Sequence, residues 1–129
     1  MSHPRFLIAD GEYIIAMEAE RLLRELCACE VAIVNPGSSS DCAGIDGAGL
    51  SLALIDTGFR LDEATAGLAR RLLRQGVAVA FTTANAAYLQ GVPGFPGTPV
   101  LGKPYDPARF AELVLRPTAP GNAGVAPTA

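Results

Sequence analysis

The sequence predicts a doubly wound α/β domain on a five-stranded parallel sheet. Three observations carry that prediction. Five short apolar runs recur along the 129 residues, separated by helical or turn-rich stretches. The central run, Leu50–Ile55, is almost continuously apolar, as strands buried on both faces are. Polar groups close four of the runs: Asp10, Asp56, Thr83 and Lys103 lie at or just past strand ends.

The elements follow in order. Phe6–Ala9 is the first apolar run. From Glu12 to Leu26 the period becomes helical, with Ile15, Ala19, Leu22 and Leu26 on one face and Leu23 beside them. Glu18, Glu20, Arg21, Arg24 and Glu25 lie around the other side, and Glu20 precedes Arg24 in the favourable i,i+4 order. Glu30–Val34 is a second strand, stopped by Asn35-Pro36-Gly37. A short helix is expected near Asp41–Ile45. After Leu50–Ile55, Asp62 is placed to cap a helix running through Leu68, Leu72 and Leu73 to Gln75, with Gly76 as its stop.

Val77–Phe81 is the fourth strand, followed by Thr82 and Thr83. Ala84–Gln90 allows two helical turns at most, because the run GVPGFPGTP breaks any continuation. The fourth helix is therefore expected to be shortened. Pro99–Leu101 is a fifth strand, leading to Gly102-Lys103-Pro104. Asp106-Pro107 pairs a capping acid with proline at the first helical position, and the helix behind it carries Phe110, Leu113 and Val114. From Pro117 onward no charged residue occurs, and Pro, Gly, Ala and Thr dominate. The expected organisation is one domain over 1–116 and a disordered tail over 117–129.

Composition narrows the function. Half the residues are hydrophobic and the formal charge is −3. No basic stripe offers a footprint for nucleic acid. No apolar run approaches the ~20 residues of a membrane span. No signal-peptide pattern opens the chain, so a cytoplasmic location is expected. Cys27, Cys29 and Cys42 fit no zinc spacing, and His3 is the single histidine, so these are expected to be reduced, structural thiols.

In doubly wound sheets a site forms beyond the carboxyl ends of the strands, at a topological switch point. Two carboxylates there, Asp10 and Asp56, favour a hard divalent cation such as Mg²⁺. Lys103 offers a point charge and Thr83 a hydroxyl to a phosphoryl group. An aspartate can also attack phosphorus itself. Phosphoryl transfer asks mainly for positioning and charge neutralisation.

Taken in this order and spacing, FLIADGEYII, LALIDTGF, VAFTTAN and PVLGKPYDP resemble the receiver domain of two-component response regulators, over Phe6 to about Leu115. The resemblance implies a flavodoxin-like fold and a stand-alone receiver. Asp56 matches the phosphoacceptor, Asp10 the acid that ligates Mg²⁺, and Gly58 the residue whose backbone carbonyl completes the metal shell. Thr83 matches the hydroxyl that moves toward the phosphoryl group, and Lys103 the lysine that pairs with it. The bond to Pro104 matches one commonly cis in the family. Asn85 and Gly58 match positions that influence how fast the aspartyl-phosphate hydrolyses. The implied partners are a histidine kinase or histidine phosphotransfer protein, an unidentified downstream protein, and a second copy, since receivers often dimerise. The implied activity is self-catalysed phosphoryl uptake rather than enzymatic turnover.

The sequence departs from the family in three places. The family usually carries two adjacent acids after the first strand, and Ala9 stands where the first would be. Val100 replaces the usual aromatic three residues before the lysine. The fourth helix is interrupted by Pro93, Gly94, Pro96 and Gly97. Glu12 reads as a first-turn helix acid, with the alternative that it substitutes for the acid missing at Ala9. Thr82 rivals Thr83 for the outward hydroxyl, Tyr105 reads as packing, and Tyr13 and Tyr88 have no assigned role. Two rival functions remain: a receiver-like module that binds partners without phosphorylation, and a phosphate-ester hydrolase with an aspartyl nucleophile. Only the spacing Asp10-Gly11-Glu12 half-fits the second.

Overall fold

The computed structural model describes residues 3–116; the expected tail at 117–129 lies outside them. Five strands form a single sheet: β1 Arg5–Ala9, β2 Glu30–Val34, β3 Leu50–Asp56, β4 Ala78–Thr83 and β5 Val100–Gly102. Their order is β2-β1-β3-β4-β5, and every pairing is parallel. Between them lie α1 Tyr13–Leu26, α2 Ser39–Ala43, α3 Glu63–Arg74 and a 3-10 turn at Ala86–Tyr88, and α4 Pro107–Val114 follows β5.

Strand periodicity divides the core into two layers. Phe6, Ile8, Leu52, Leu54, Ala80 and Leu101 project to one face, beneath α1 and α4. Leu7, Ala9, Ala53, Ile55, Val79 and Phe81 project to the other, beneath α3. Such alternation is forced by the two-residue repeat of a strand. Full burial of each large side chain contributes about 1.5–3 kcal/mol, so each layer outweighs any single surface interaction.

The caps behave as the sequence implies. Asp62 accepts a hydrogen bond from the Thr65 backbone N–H, and Asp106 accepts one from that of Ala108. On the exposed face of α1, Arg24 pairs with Glu20 at 2.9 Å. Cys27, Cys29 and Cys42 form no disulfide.

The region after β4 is as short as expected. Within the two helical turns allowed there is one 3-10 turn, capped by the Asn85 side chain accepting from Ala87 N–H. Gly91, Gly94 and Gly97 then take positive φ, and Pro93 and Pro96 deny the chain helical hydrogen bonds. Phe95 is buried in the α3-side layer. Its ring meets Phe81 edge-on at 4.9 Å, and the Arg70 guanidinium lies 5.4 Å from it. β5 begins one residue later than predicted, at Val100; the Pro99 carbonyl accepts from Phe81 N–H, but proline has no N–H to donate to the ladder.

Candidate functional site

β1 and β3 are adjacent, while the chain leaves β1 toward β2 and β3 toward β4. The switch point therefore lies between the ends of β1 and β3, where Asp10 and Asp56 stand. Asp10 follows Ile8 by two residues and Asp56 follows Leu54 by two, so both carboxylates lie on the α1 side. Lys103 follows Leu101 on the same side. Its backbone is fixed by Lys103 N–H donating to the Thr83 carbonyl at 2.8 Å, and the Lys103–Pro104 peptide bond is cis.

The Lys103 ammonium bridges the two acids. Nζ lies 2.8 Å from Asp10 Oδ2 and 2.9 Å from Asp56 Oδ1. The Lys103 and Asp10 side chains are nearly sealed from solvent, whereas Asp56 keeps 13% of its side chain exposed. Asp56 is thus the carboxylate a solvent-borne group can reach. Burial pushes the Asp10 carboxyl above the usual aspartate range, against the opposing bonds from Lys103 and the Glu12 N–H. Burial alone would push Lys103 down, but its bonds to Asp10 and Asp56 reverse that and raise it. The lysine is therefore held as a cation.

Glu12 is not a first-turn acid. It occupies the cap position of α1 and makes no side-chain cap bond. Its carboxylate turns instead toward the site, 3.6 Å from Lys103 Nζ. Oxygens of Asp10, Glu12 and Asp56 lie within 4.8 Å of one another. Three hard oxygen donors at that spacing suit Mg²⁺, which takes one or two carboxylates alongside water and phosphate oxygens. The donor set fits the metal that the sequence implied.

Ala9 has a different meaning from the one its position suggested. It is fully buried in the α3-side layer with Leu7, Ile55 and Phe81. An acid there would point into apolar side chains, on the far side of the sheet from Asp10. The third carboxylate of the pocket comes from Glu12, beyond the strand.

Thr83 and Thr82 also separate. Thr82 pairs in register with Asp56 and lies on its side of the sheet, where its side chain engages the half-buried Tyr105. Tyr105 packs edge-on against Phe110, so the packing role holds and a polar contact adds to it. Thr83 is fully buried on the α3 side. Its Oγ1 accepts a 2.7 Å bond from Thr57 Oγ1 and a 2.9 Å bond from Asn85 N–H. Lys103 and Thr83 are thus neighbours through the backbone, with the hydroxyl turned away from the acids.

The loop after Asp56 is tightly held. Gly58 has φ +68°, a left-handed conformation that a side chain would strain. Its carbonyl accepts from Thr57 Oγ1, and the next carbonyl, of Phe59, accepts from Asn85 Nδ2 at 2.6 Å. Tyr88, which had no role from sequence, accepts from Leu61 N–H at 3.0 Å. Thr57, buried directly after Asp56, has no role assignable from sequence. Its only signal there is a hydroxyl directly after the candidate nucleophile, in a strand destined for burial.

Three large apolar side chains close in sequence to the site residues are exposed. Tyr13 and Ile14 open α1 beside Glu12, Phe59 follows Gly58, and all three are well exposed. Val100, three residues before Lys103, is half-buried. No helix among the described residues is long and apolar enough to cross a membrane.

The chain is similar to the solution structure of the PhyR response regulator receiver domain of Erythrobacter litoralis, at 24% identity and a TM-score of 0.65, over 92% of this chain and 98% of that one. It is similar to PhyR from Brucella abortus, at 21% identity and a TM-score of 0.65, over 87% of this chain and 46% of that one. A response regulator receiver protein from Sinorhizobium medicae matches at 17% identity and a TM-score of 0.58, over 88% and 91% of the two chains. No family model and no curated protein matches the sequence. These likenesses establish the fold: a flavodoxin-like sheet of the receiver type.

Proposed function

We propose that this chain is a response regulator receiver that accepts a phosphoryl group on Asp56 from the phosphohistidine of a kinase or phosphotransfer protein. The observation that carries the reading is the Lys103 bridge. One buried ammonium is held between a sealed acid, Asp10, and an accessible one, Asp56, at the switch point of the sheet. An Asp56 carboxylate oxygen forms the new O–P bond as the P–N bond to the donor imidazole breaks, and the bonding pair stays on the departing nitrogen. Lys103 is placed to balance the charge of the acyl phosphate, as lysines do for phosphate oxygens. Asp10, Glu12, Asp56 and the Gly58 carbonyl are the groups that would hold Mg²⁺. Bound there, the ion would neutralise charge on the phosphoryl oxygens.

Exposed side chains support a protein donor. Tyr13 and Ile14, next to Glu12 in sequence, and Phe59, three residues after Asp56, are exposed, and exposed aromatic side chains of this kind are enriched where proteins meet proteins. The uptake is self-catalysed and stoichiometric, without turnover. Incubation with acetyl phosphate and Mg²⁺ tests the reading. An adduct stable in acid and labile in alkali, of one phosphoryl mass, is expected for the native chain and absent from Asp56→Asn. No adduct, or the same adduct in the variant, rejects it.

A second reading, a module that binds partners without phosphorylation, is favoured by Val100, which offers no aromatic ring to report a change at Lys103. It predicts partner binding that is indifferent to acetyl phosphate.

A further inference from the structure

Two buried hydroxyls lie just behind the acidic pocket. Thr57 Oγ1 is 2.7 Å from the Gly58 carbonyl oxygen and 2.7 Å from Thr83 Oγ1, and it is placed to donate to both. A hydroxyl carries one proton, so the two acceptors compete for it. Thr83 Oγ1 also accepts from Asn85 N–H. Its oxygen is thereby held from two directions, inside a layer where Thr57 is 2% exposed and Thr83 0%.

The placement of the pair is as informative as the bonds. Thr57 follows Ile55 by two residues and Thr83 follows Phe81 by two, so both hydroxyls belong to the α3 side. Asp56 faces the opposite side. For Thr83 to reach a group on Asp56, its hydroxyl must leave Thr57. In most buried settings that departure would strand a donor at substantial cost. Here the Thr57 proton has a second acceptor at the same distance, the Gly58 carbonyl, whose oxygen keeps its other lone pair for the cation assigned to it above. The bond can be given up without leaving Thr57 unsatisfied, as befits a latch more than a strut.

We propose that Thr57 is a positioning residue. Its hydroxyl holds Thr83 in the withdrawn position and releases it by turning to the Gly58 carbonyl. The proposal rests on the reading of Asp56 as phosphoacceptor, with Thr83 as the hydroxyl that engages the phosphoryl group.

Thr57→Val keeps the shape and removes the proton, Thr57→Ala is a second variant should the first fold poorly, and Thr57→Ser restores the hydroxyl. Two measurements separate the latch from the reading beneath it. In the chain without metal or phosphate, hydrogen exchange at the Asn85 amide should quicken several-fold in Thr57→Val, because Thr83 is freed to turn from it. With Mg²⁺ and beryllofluoride as the phosphoryl mimic, Thr57→Val should bind about 3–10-fold more tightly, the size of one net hydrogen bond no longer opposing release. Thr57→Ser should return both values to those of the native chain. In a Thr83→Val background the Thr57→Val gain should vanish. If the native chain binds beryllofluoride and Thr57→Val binds no tighter, the latch is wrong and the phosphoacceptor reading stands. If the native chain takes up no beryllofluoride, that reading fails and the latch with it.

Discussion

On the α1 side of the sheet the strands lead to Asp10, Asp56 and, beyond β5, Lys103; on the α3 side they end on Ala9, Thr57 and Thr83. Each residue of the second set is the sequence neighbour of a residue at or beside the first. The alternation of a strand is enough to separate them. One side gathers charge that must be paired or solvated. The other gathers small apolar and hydroxyl groups that can be sealed completely. A single-residue slip in reading the sequence therefore exchanges the reactive chemistry for the structural chemistry. That is why Ala9 looks like a gap in the acidic site when read along the chain, and is a necessary part of the core when read across the sheet.

The sharpest way to break this comparison is to put charge on the wrong side. Ala9→Asp should lose about 4 kcal/mol or more of stability in urea denaturation followed by far-UV circular dichroism, because a carboxylate would enter an apolar layer with no partner. It should not tighten Mg²⁺ binding. A stable Ala9→Asp chain with higher Mg²⁺ affinity would mean that position 9 reaches the pocket, and the division into two sides would fail.

Lys103→Met tests the charged side from within. The lysine neutralises two acids, one of them sealed, and its loss leaves like charges together. A loss of about 3 kcal/mol is expected, in the range for removing one partner of a buried pair. Millimolar Mg²⁺ should restore part of it, since a cation can then take the place of Nζ between the acids. Restoration to an extent equal to the small effect of Mg²⁺ on the native chain would show that the acids do not form a cation site.

Much of this was legible in the sequence. Run length and punctuation placed all five strands within a residue or two, because buried parallel strands leave an apolar signature that turns interrupt. Asp10, Asp56 and Lys103 were legible because strand-end polar residues in this architecture have few other places to go. Side-chain direction was less legible at the termini. Glu12 lies past the strand and before the helix, where neither period governs, so its turn toward Lys103 is set by a tertiary contact that no local pattern carries. Thr57 was hidden for the opposite reason: beside a candidate nucleophile, a buried hydroxyl reads as packing until its partner 26 residues away is known. The Pro and Gly residues after β4 announce a break in the sequence, but the packing of Phe95 there depends on a contact with Phe81 that no local pattern announces.

Glu12 offers a finer division, between acids that hold the fold and acids that hold a ligand. Its carboxylate is 70% exposed, so Glu12→Gln should leave urea stability unchanged within about 0.5 kcal/mol. Mg²⁺ affinity, followed by NMR shifts at Asp10 and Asp56, should fall about tenfold, or ~1.4 kcal/mol. An unchanged titration would remove Glu12 from the cation site and leave two carboxylates there.

The smallest effect is expected at Asp62, an acid on the α3 side whose task is purely structural. It caps α3 by accepting from Thr65 N–H at 2.8 Å, and that bond holds its carboxyl below the ordinary value of 3.8. Asp62→Ala should cost about 1 kcal/mol at neutral pH, with no change in Mg²⁺ binding or phosphoryl uptake. The pH dependence follows from the direction of the shift. A carboxyl depressed in the folded state stabilises it fully above its unfolded pKa and loses that contribution as pH falls through the folded one. The gap between native chain and Asp62→Ala should therefore be constant above about pH 5 and shrink progressively below 3.8. A gap that persisted undiminished into acid would show that Asp62 contributes through packing. The capping acid and the pocket acids would then differ by location alone, without the difference in charge chemistry that separates the two sides of this sheet.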